Sequence, residues 1–286
     1  MGKISTSIIK TSFSKDNVNN YNLSILCGVD SLYYCISDEA NEALVLKKFD
    51  LFKTITFESE ITFAATLNNI WESDSILSLP FRSIHIAFIH PHYTIIPNKL
   101  YQASNKASYL TPLKKETNLP ELYQVNDLAI DAKLIFSLPQ TAVAFFENKY
   151  QKGIHYYNSF TPLLNGILKE MQQLNDKHIW LNVHPRTLQI ALFDGKSLIF
   201  SNQFPFQSEN DFLYYVLLVY NQFKLDPELI PVHISGQLVK ESAIHKKLYR
   251  YIRNISFLKL SETHQLNTHL TESPGYFFFD LLSIGT

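Results

Sequence analysis

Tyr21–Ile36, YNLSILCGVDSLYYCI, reads as two short strands about a turn. Leu23, Ile25 and Cys27 alternate loosely with other residues, and Gly28-Val29-Asp30-Ser31 is turn chemistry. Leu32–Ser37 is strand-like through its aromatic and branched side chains. Asp38 to Asn41 supplies a second turn and Ala43–Leu51 a third strand. A helix follows, with Phe57, Ile61, Ala64, Ala65 and Trp71 spaced on one face. The same order recurs at residues 178–207. There Ile179–Val183 and Thr187–Phe193 are strands, and Asp194-Gly195 signals a two-residue type I′ hairpin leading into Ser197–Phe204. Ser208 then caps a helix whose stripe is Phe212, Val216, Val219, Tyr220 and Phe223. Two such triplets, each followed by helices alternating with strands, predict an α/β protein with a mixed five-stranded sheet in each of two lobes.

Between and beyond the triplets the signals are shorter. Ser83–Ile89 alternates as a strand that Pro91 ends, and Tyr93–Ile96 reads as a neighbour stopped by Pro97. Residues 100–126 are polar and punctuated by Pro112 and Pro120, the pattern of a connecting or mobile segment. Leu128–Leu138 and Gly153–Tyr157 read as strands around a short helix over Thr141–Tyr150. Phe160, Leu163, Leu164, Ile167, Met171 and Leu174 form a helix stripe. Pro231–Ser235, a helix over 238–252 and Ile255–Leu260 complete the second lobe. The expected organisation is a loose lead-in over 1–20, a first lobe over 21–150 and a second over 151–286. The apolar segment from Tyr276 to Ile284 packs back on the first lobe in this reading.

Composition narrows the function classes. The 286 residues are 46% hydrophobic and 14% aromatic, ample for a packed core. A net charge of −1 argues against an extensive nucleic-acid footprint. No apolar run approaches the roughly eighteen residues of a membrane span, and the N-terminus lacks the apolar stretch of a secretory signal. Cys27 and Cys35 are the only cysteines and read as buried thiols of a reducing, cytoplasmic setting.

YNLSILCGVDSLYYCI, IHIAFIHPHYTIIPNKLY (84–101) and LQIALFDGKSLIFSNQFPF (188–206) carry a resemblance to the actin-like ATPase superfamily, whose fold is ribonuclease H-like and which includes actin, sugar kinases and the large heat-shock chaperones. More specifically, the chain resembles a bacterial domain-of-unknown-function family with that fold, over roughly residues 21–284. The resemblance implies a nucleotide clamped between two lobes and gripped by three turns. Active members place Asp-x-Gly in the first turn, so that amides approach phosphate and a carboxylate holds hydrated magnesium. Here that triplet is Leu26-Cys27-Gly28, with Asp30 and Ser31 further on. The second turn, normally Asp-x-Gly followed by Thr, reads Asn182-Val183-His184-Pro185-Arg186-Thr187. Asn182 has lost the charge, and Pro185 removes an amide donor. The adenosine-side glycine pair is reduced to Ser235-Gly236.

The resemblance therefore implies a degenerate actin-like fold without catalytic residues, metal or cofactor, acting as a binding or scaffolding module for a protein partner. Its alternative is a divergent nucleotide-dependent ATPase or phosphotransferase that binds ATP with magnesium through Gly28, Asp30, Ser31, Asn182, Thr187 and Gly236.

Other clusters carry less. His90-Pro91-His92, with His85 upstream, lacks a matching Cys, Asp or Glu cluster and reads as exposed strand-end histidines. Lys246, Arg250 and Arg253 share a predicted helix face opposite Ile244, Leu248 and Tyr251. They read as a solvated face, or as a contact for an acidic partner or an RNA backbone.

Overall fold

A computed structural model describes residues 2–51, 60–113, 120–151, 153–171, 176–260 and 274–286. The chain divides into two compact units, Met1–Asn165 with Asp280–Thr286, and Gly166–Phe279. The dividing line thus falls later than residue 150, and the last seven residues belong to the first unit.

The first unit is built on a six-stranded sheet of order β1-β4-β3-β2-β5-β9. Its strands are β1 (Gly2–Ile9), β2 (Asn22–Cys27), β3 (Ser31–Ser37), β4 (Ala43–Leu51), β5 (Ser83–Phe88) and β9 (Ile154–Asn158). The expected triplet β2-β3-β4 is antiparallel, and β5 and β9 extend it in parallel. The sheet has one strand more than the expected five, because the lead-in is not loose. Gly2–Ile9 pairs antiparallel with β4, from Gly2 opposite Leu51 to Ile9 opposite Val45. The segment, GKISTSII, is mostly Gly, Lys, Ser and Thr before its final Ile pair, and Ile8 is buried; a polar composition concealed an edge strand.

A second, three-stranded antiparallel sheet of order β6-β8-β7 lies in the same unit, formed by β6 (Tyr93–Pro97), β7 (Glu121–Asp127) and β8 (Ala132–Pro139). The stretch read as a connector therefore ends in a strand. Short 3-10 turns precede it at Ala103–Asn105 and Ser108–Leu113, and residues 114–119 lie outside the described residues. Helix α1 (Glu60–Ser73) buries Phe63, Leu67, Ile70 and Trp71, a stripe rotated from the expected one, since Ala65 is exposed. Phe57 and the Ile61 side chain lie outside the described residues. Helix α2 (Gln140–Lys149) brings Phe145 and Phe146 against Trp71, at ring separations of 5.4 and 5.9 Å.

The second unit repeats the plan: β10 (Lys177–Val183), β11 (Thr187–Asp194) and β12 (Ser197–Pro205) are an antiparallel triplet. Strands β13 (Val232–Gly236) and β14 (Ile255–Phe257) add in parallel, giving the order β12-β11-β10-β13-β14. The β11–β12 loop is Gly195-Lys196, one residue later than expected, and of the two only Gly195 has positive φ (53°). Helix α3 (Phe160–Glu170) begins in the first unit and ends in the second, and buries Leu163, Leu164 and Ile167; Leu174 of its expected stripe lies outside the described residues. Helix α4 (Glu209–Gln222) begins with a capping box in which Ser208 and Asp211 satisfy each other's amides. Its Phe212, Val216, Val219 and Tyr220 pack on Ile179, Leu181, Ile190 and Ile234 of the sheet. The predicted 238–252 helix shrinks to α5 (Ala243–Leu248), followed by turns. Consequently Ile252 is buried and Tyr251 is 51% exposed, the reverse of the helical expectation. Helix α6 (Phe279–Leu282) closes the chain.

Candidate functional site

The six residues singled out for nucleotide binding fall into two groups of three, one in each unit. In the first unit, β2 runs out at Cys27, and the Gly28 amide donates to the Ser31 carbonyl at 2.8 Å. This closes the turn into β3. Leu26 is 1% exposed in a strand buried from Leu23 to Cys27, an apolar side chain at the position where the resemblance implies a carboxylate. Burial pushes the Cys27 thiol well above its ordinary range, which leaves it protonated and inert. The Ser31 hydroxyl donates to Asp30 Oδ1 at 3.0 Å. Asp30 Oδ2 is buried and, among the described residues, has no hydrogen-bond partner. A Cβ added at Gly28 would sit 3.2 Å from Ser31 Oγ and 3.3 Å from Ile89 Cδ1, so the approach to this turn is already lined by side chains.

In the second unit the corresponding turn is filled by a polar row that runs straight across four strands. Gln203 of β12 faces Gln189 of β11, which faces Asn182 of β10, which faces Ser235 of β13. Ser235 Oγ donates to Asn182 Oδ1 at 2.9 Å, and Asn182 Nδ2 donates to Gln189 Oε1 at 3.0 Å. The same amide nitrogen lies 3.1 Å from His184 Nε2, which accepts in the matching tautomer. Gln189 Nε2 reaches Gln203 Oε1 at 3.4 Å. Asn182, His184, Gln189 and Ser235 are all buried. The Asn182 amide is thus engaged on both its nitrogen and its oxygen within the sheet. Thr187 closes the turn by accepting the His184 amide at 2.8 Å. Pro185 and Arg186 form its exposed tip.

Gly236 has φ of +79°, and a Cβ there would meet Val183 O at 2.3 Å, Val183 N at 2.5 Å and Asn182 Oδ1 at 2.9 Å. The neighbouring strand β10 therefore demands this glycine, with no ligand needed to explain it. The row itself is uncharged. It can order the ends of the strands, but it offers no carboxylate for magnesium or for a general base. Gln189 and Gln203 are absent from the sequence reading. The available signal was a glutamine within the largely apolar run Leu188–Phe193.

Among the described residues, no group of three or more His, Cys, Asp or Glu side chains is arranged to hold a metal. His90 is buried rather than exposed, with its ring 4.7 Å from that of His92. Burial, and then the neighbouring His92, push its pKa down to about 3. A comparable pair sits in each main sheet. His85 stacks on His155 at 5.0 Å, and burial followed by the His155 and Arg82 charges lowers it to about 4. His233 stacks on Trp180 at 4.5 Å and lies within hydrogen-bond reach of His178, Nδ1 to Nε2 at 2.8 Å, and burial followed by His178 lowers it to about 4.

A family described as a protein of unknown function, DUF3822, matches residues 10–255. The chain belongs to this family. A protein from Bacteroides thetaiotaomicron with an actin-like ATPase fold and unknown function is similar to this DUF3822 member in structure. The TM-score is 0.73 at 20% identity, over 86% of this chain and 93% of that one. A PilM-PilN type IV pilus biogenesis complex gives 0.65 at 11% identity, over 92% and 97%. The ethanolamine utilization protein EutJ from Carboxydothermus hydrogenoformans gives 0.51 at 9% identity, over 95% and 93%. At these identities the likeness establishes the fold, an actin-like ATPase fold, and nothing finer. No curated protein matches the sequence. Among the described residues, no helix is long and apolar enough to cross a membrane.

Proposed function

We propose that this DUF3822 member is a binding or scaffolding module that has kept the actin-like frame and given up its catalysis. One observation carries the reading. Asn182, standing where a magnesium-ordering aspartate belongs, is 1% exposed and engaged on both polar atoms by Ser235, Gln189 and His184. A buried polar network of this kind rigidifies a strand end and leaves little to spare for a phosphate. Leu26 makes the same substitution in the first unit with a fully apolar group. One structural neighbour is a complex of two proteins, which supports a protein partner for this chain. Buried free thiols at Cys27 and Cys35 support a reducing, cytoplasmic setting.

The test is calorimetric titration with ATP and magnesium, together with a phosphate-release assay. The expected result is no saturable heat up to about 1 mM nucleotide, where binding would be worth about 4 kcal/mol, and no turnover. Magnesium-dependent hydrolysis that disappears in Asp30→Ala or Thr187→Ala would overturn it.

A second reading, a divergent nucleotide-dependent ATPase or phosphotransferase, has one observation in its favour. Asp30 Oδ2 is buried without a partner among the described residues, as an unfilled cation ligand would be. The same titration decides between the two.

A further inference from the structure

The second unit carries a groove that neither phosphate turn uses. It has a volume of about 980 Å³ and lies where α5 meets the last strand of the sheet. Five consecutive residues, 255–259, line it together with His245 and Tyr276. The three rings form one aromatic surface: His245 is 5.3 Å from Phe257, which is 5.0 Å from Tyr276. Lys240, Lys246 and Lys259 stand exposed around the rim.

Two features give this groove a chemical preference. The first is charge. Residues 239–259 contain Lys240, Lys246, Lys247, Arg250, Arg253 and Lys259 against the single carboxylate Glu241, whereas the whole chain balances 25 basic against 26 acidic residues. The second is backbone. Strand β14 is the edge of its sheet, and among the described residues it pairs only with β13. The Asn254 carbonyl and the Leu258 amide bond to β13. By strand alternation, the backbone groups of Ile255 and Phe257 point away from β13. Tyr249, which also lines the groove, is 63% exposed.

We infer that this groove docks an extended acidic segment of a partner protein, which adds as a strand along β14. One apolar or aromatic side chain of the segment rests on the His245–Phe257–Tyr276 surface, and its carboxylates meet Lys240, Lys246 and Lys259. Strand addition supplies main-chain hydrogen bonds, and the pocket and charges supply selectivity. This deepens the binding-module reading and rests on it, yet its test is separate. A failed docking leaves the nucleotide result untouched, and nucleotide turnover leaves the docking result untouched.

The experiment selects binders to the full chain from a random peptide-display library, then measures the selected peptides by fluorescence anisotropy. The expected consensus is Asp/Glu-rich around one aromatic or branched aliphatic residue. The triple variant K240E/K246E/K259E changes only exposed side chains, and circular dichroism checks its fold. In it, affinity is expected to fall about tenfold or more, and raising salt is expected to weaken binding to the parent. Strand addition is tested on the peptide itself. N-methylation of alternate residues abolishes binding for the set facing β14 and spares the other set. The inference is overturned if no peptide is enriched, if the enriched peptides lack acidic residues, if charge reversal leaves affinity unchanged, or if both N-methylated sets bind equally. An RNA 12-mer that competes with the peptide and is lost in the same variant would also overturn it, by making the groove a nucleic-acid site.

Discussion

Replacing Gly236 by alanine separates a glycine kept for phosphate from a glycine kept for packing. At φ of +79° the new Cβ would lie 2.3 and 2.5 Å from the oxygen and nitrogen of Val183. Both are backbone atoms of β10, locked by the Asn182–Ser235 and Val183–Gly236 register, so neither can swing aside as a flexible side chain would. The left-handed backbone costs an L-residue about 1–2 kcal/mol. Overpacking adds roughly 1–3 kcal/mol, for a total of about 2–5 kcal/mol. With a urea dependence of about 1–3 kcal/mol per molar, the midpoint should fall by roughly 1 M or more. Each unit holds one tryptophan, Trp71 in the first and Trp180 in the second, so fluorescence in a Trp71→Phe background reports the second unit alone. Gly28→Ala is the control. Its Cβ would meet nothing closer than 3.2 Å, and the nearest atom belongs to a side chain, so a loss below about 1 kcal/mol is expected. A G236A midpoint within about 0.2 M of its parent would refute the packing argument. It would return the glycine to a ligand-binding role.

Acidification supplies an independent check. His85 and His233 are held neutral down to about pH 4 and His90 to about pH 3, whereas an unfolded histidine protonates near pH 6.5. Between those limits the unfolded chain binds more protons, so stability is full above about pH 6.5 and falls as pH drops toward 4. The combined loss is on the order of several kcal/mol, read as Tm against pH, and H85N/H233N should flatten the slope. The buried pair of Lys47 and Asp74 (2.7 Å) also accepts the Tyr34 hydroxyl, at 2.7 Å on the same oxygen, Asp74 Oδ2. Asp74→Asn leaves the lysine charge uncompensated and should cost about 3–5 kcal/mol in thermal unfolding; adding Lys47→Met should recover much of it. If the double variant is no more stable than the single, the pair does not act as a unit.

How much of this was legible depended on which force set each residue. The two triplets were readable because alternation and turn chemistry are local. Gly28, Asp194-Gly195 and Ser208 mark chain reversals and a helix start within a few residues of where they act. What failed was decided at long range. Gly2–Ile9 is a strand because β4, some forty residues on, offers it an edge; its own composition is that of a tail. Helix α5 stops at Leu248 although the residues that follow continue a helical stripe, so the buried residue becomes Ile252 and Tyr251 turns outward.

The candidate site shows the same division at finer grain. That Leu26 and Asn182 depart from the carboxylates the resemblance implies was visible in the sequence; what surrounds Asn182 was not, because its partners are assembled across strands. Asn182 acquires meaning only when Gln189 and Ser235 are brought opposite it by register. Register also exposes a likeness that sequence comparison within the chain does not. Leu26 pairs with Ala87 on β5, and Asn182 pairs with Ser235 on β13. Two residues before those partners stand His85 and His233, each stacked on an aromatic or imidazole neighbour and each held neutral by burial. The two units therefore match in the placement of a half-buried imidazole on the central parallel strand. The likeness lies in the layer of side chains that ties neighbouring strands together: His85 stacks on His155 of β9, and His233 on Trp180 of β10.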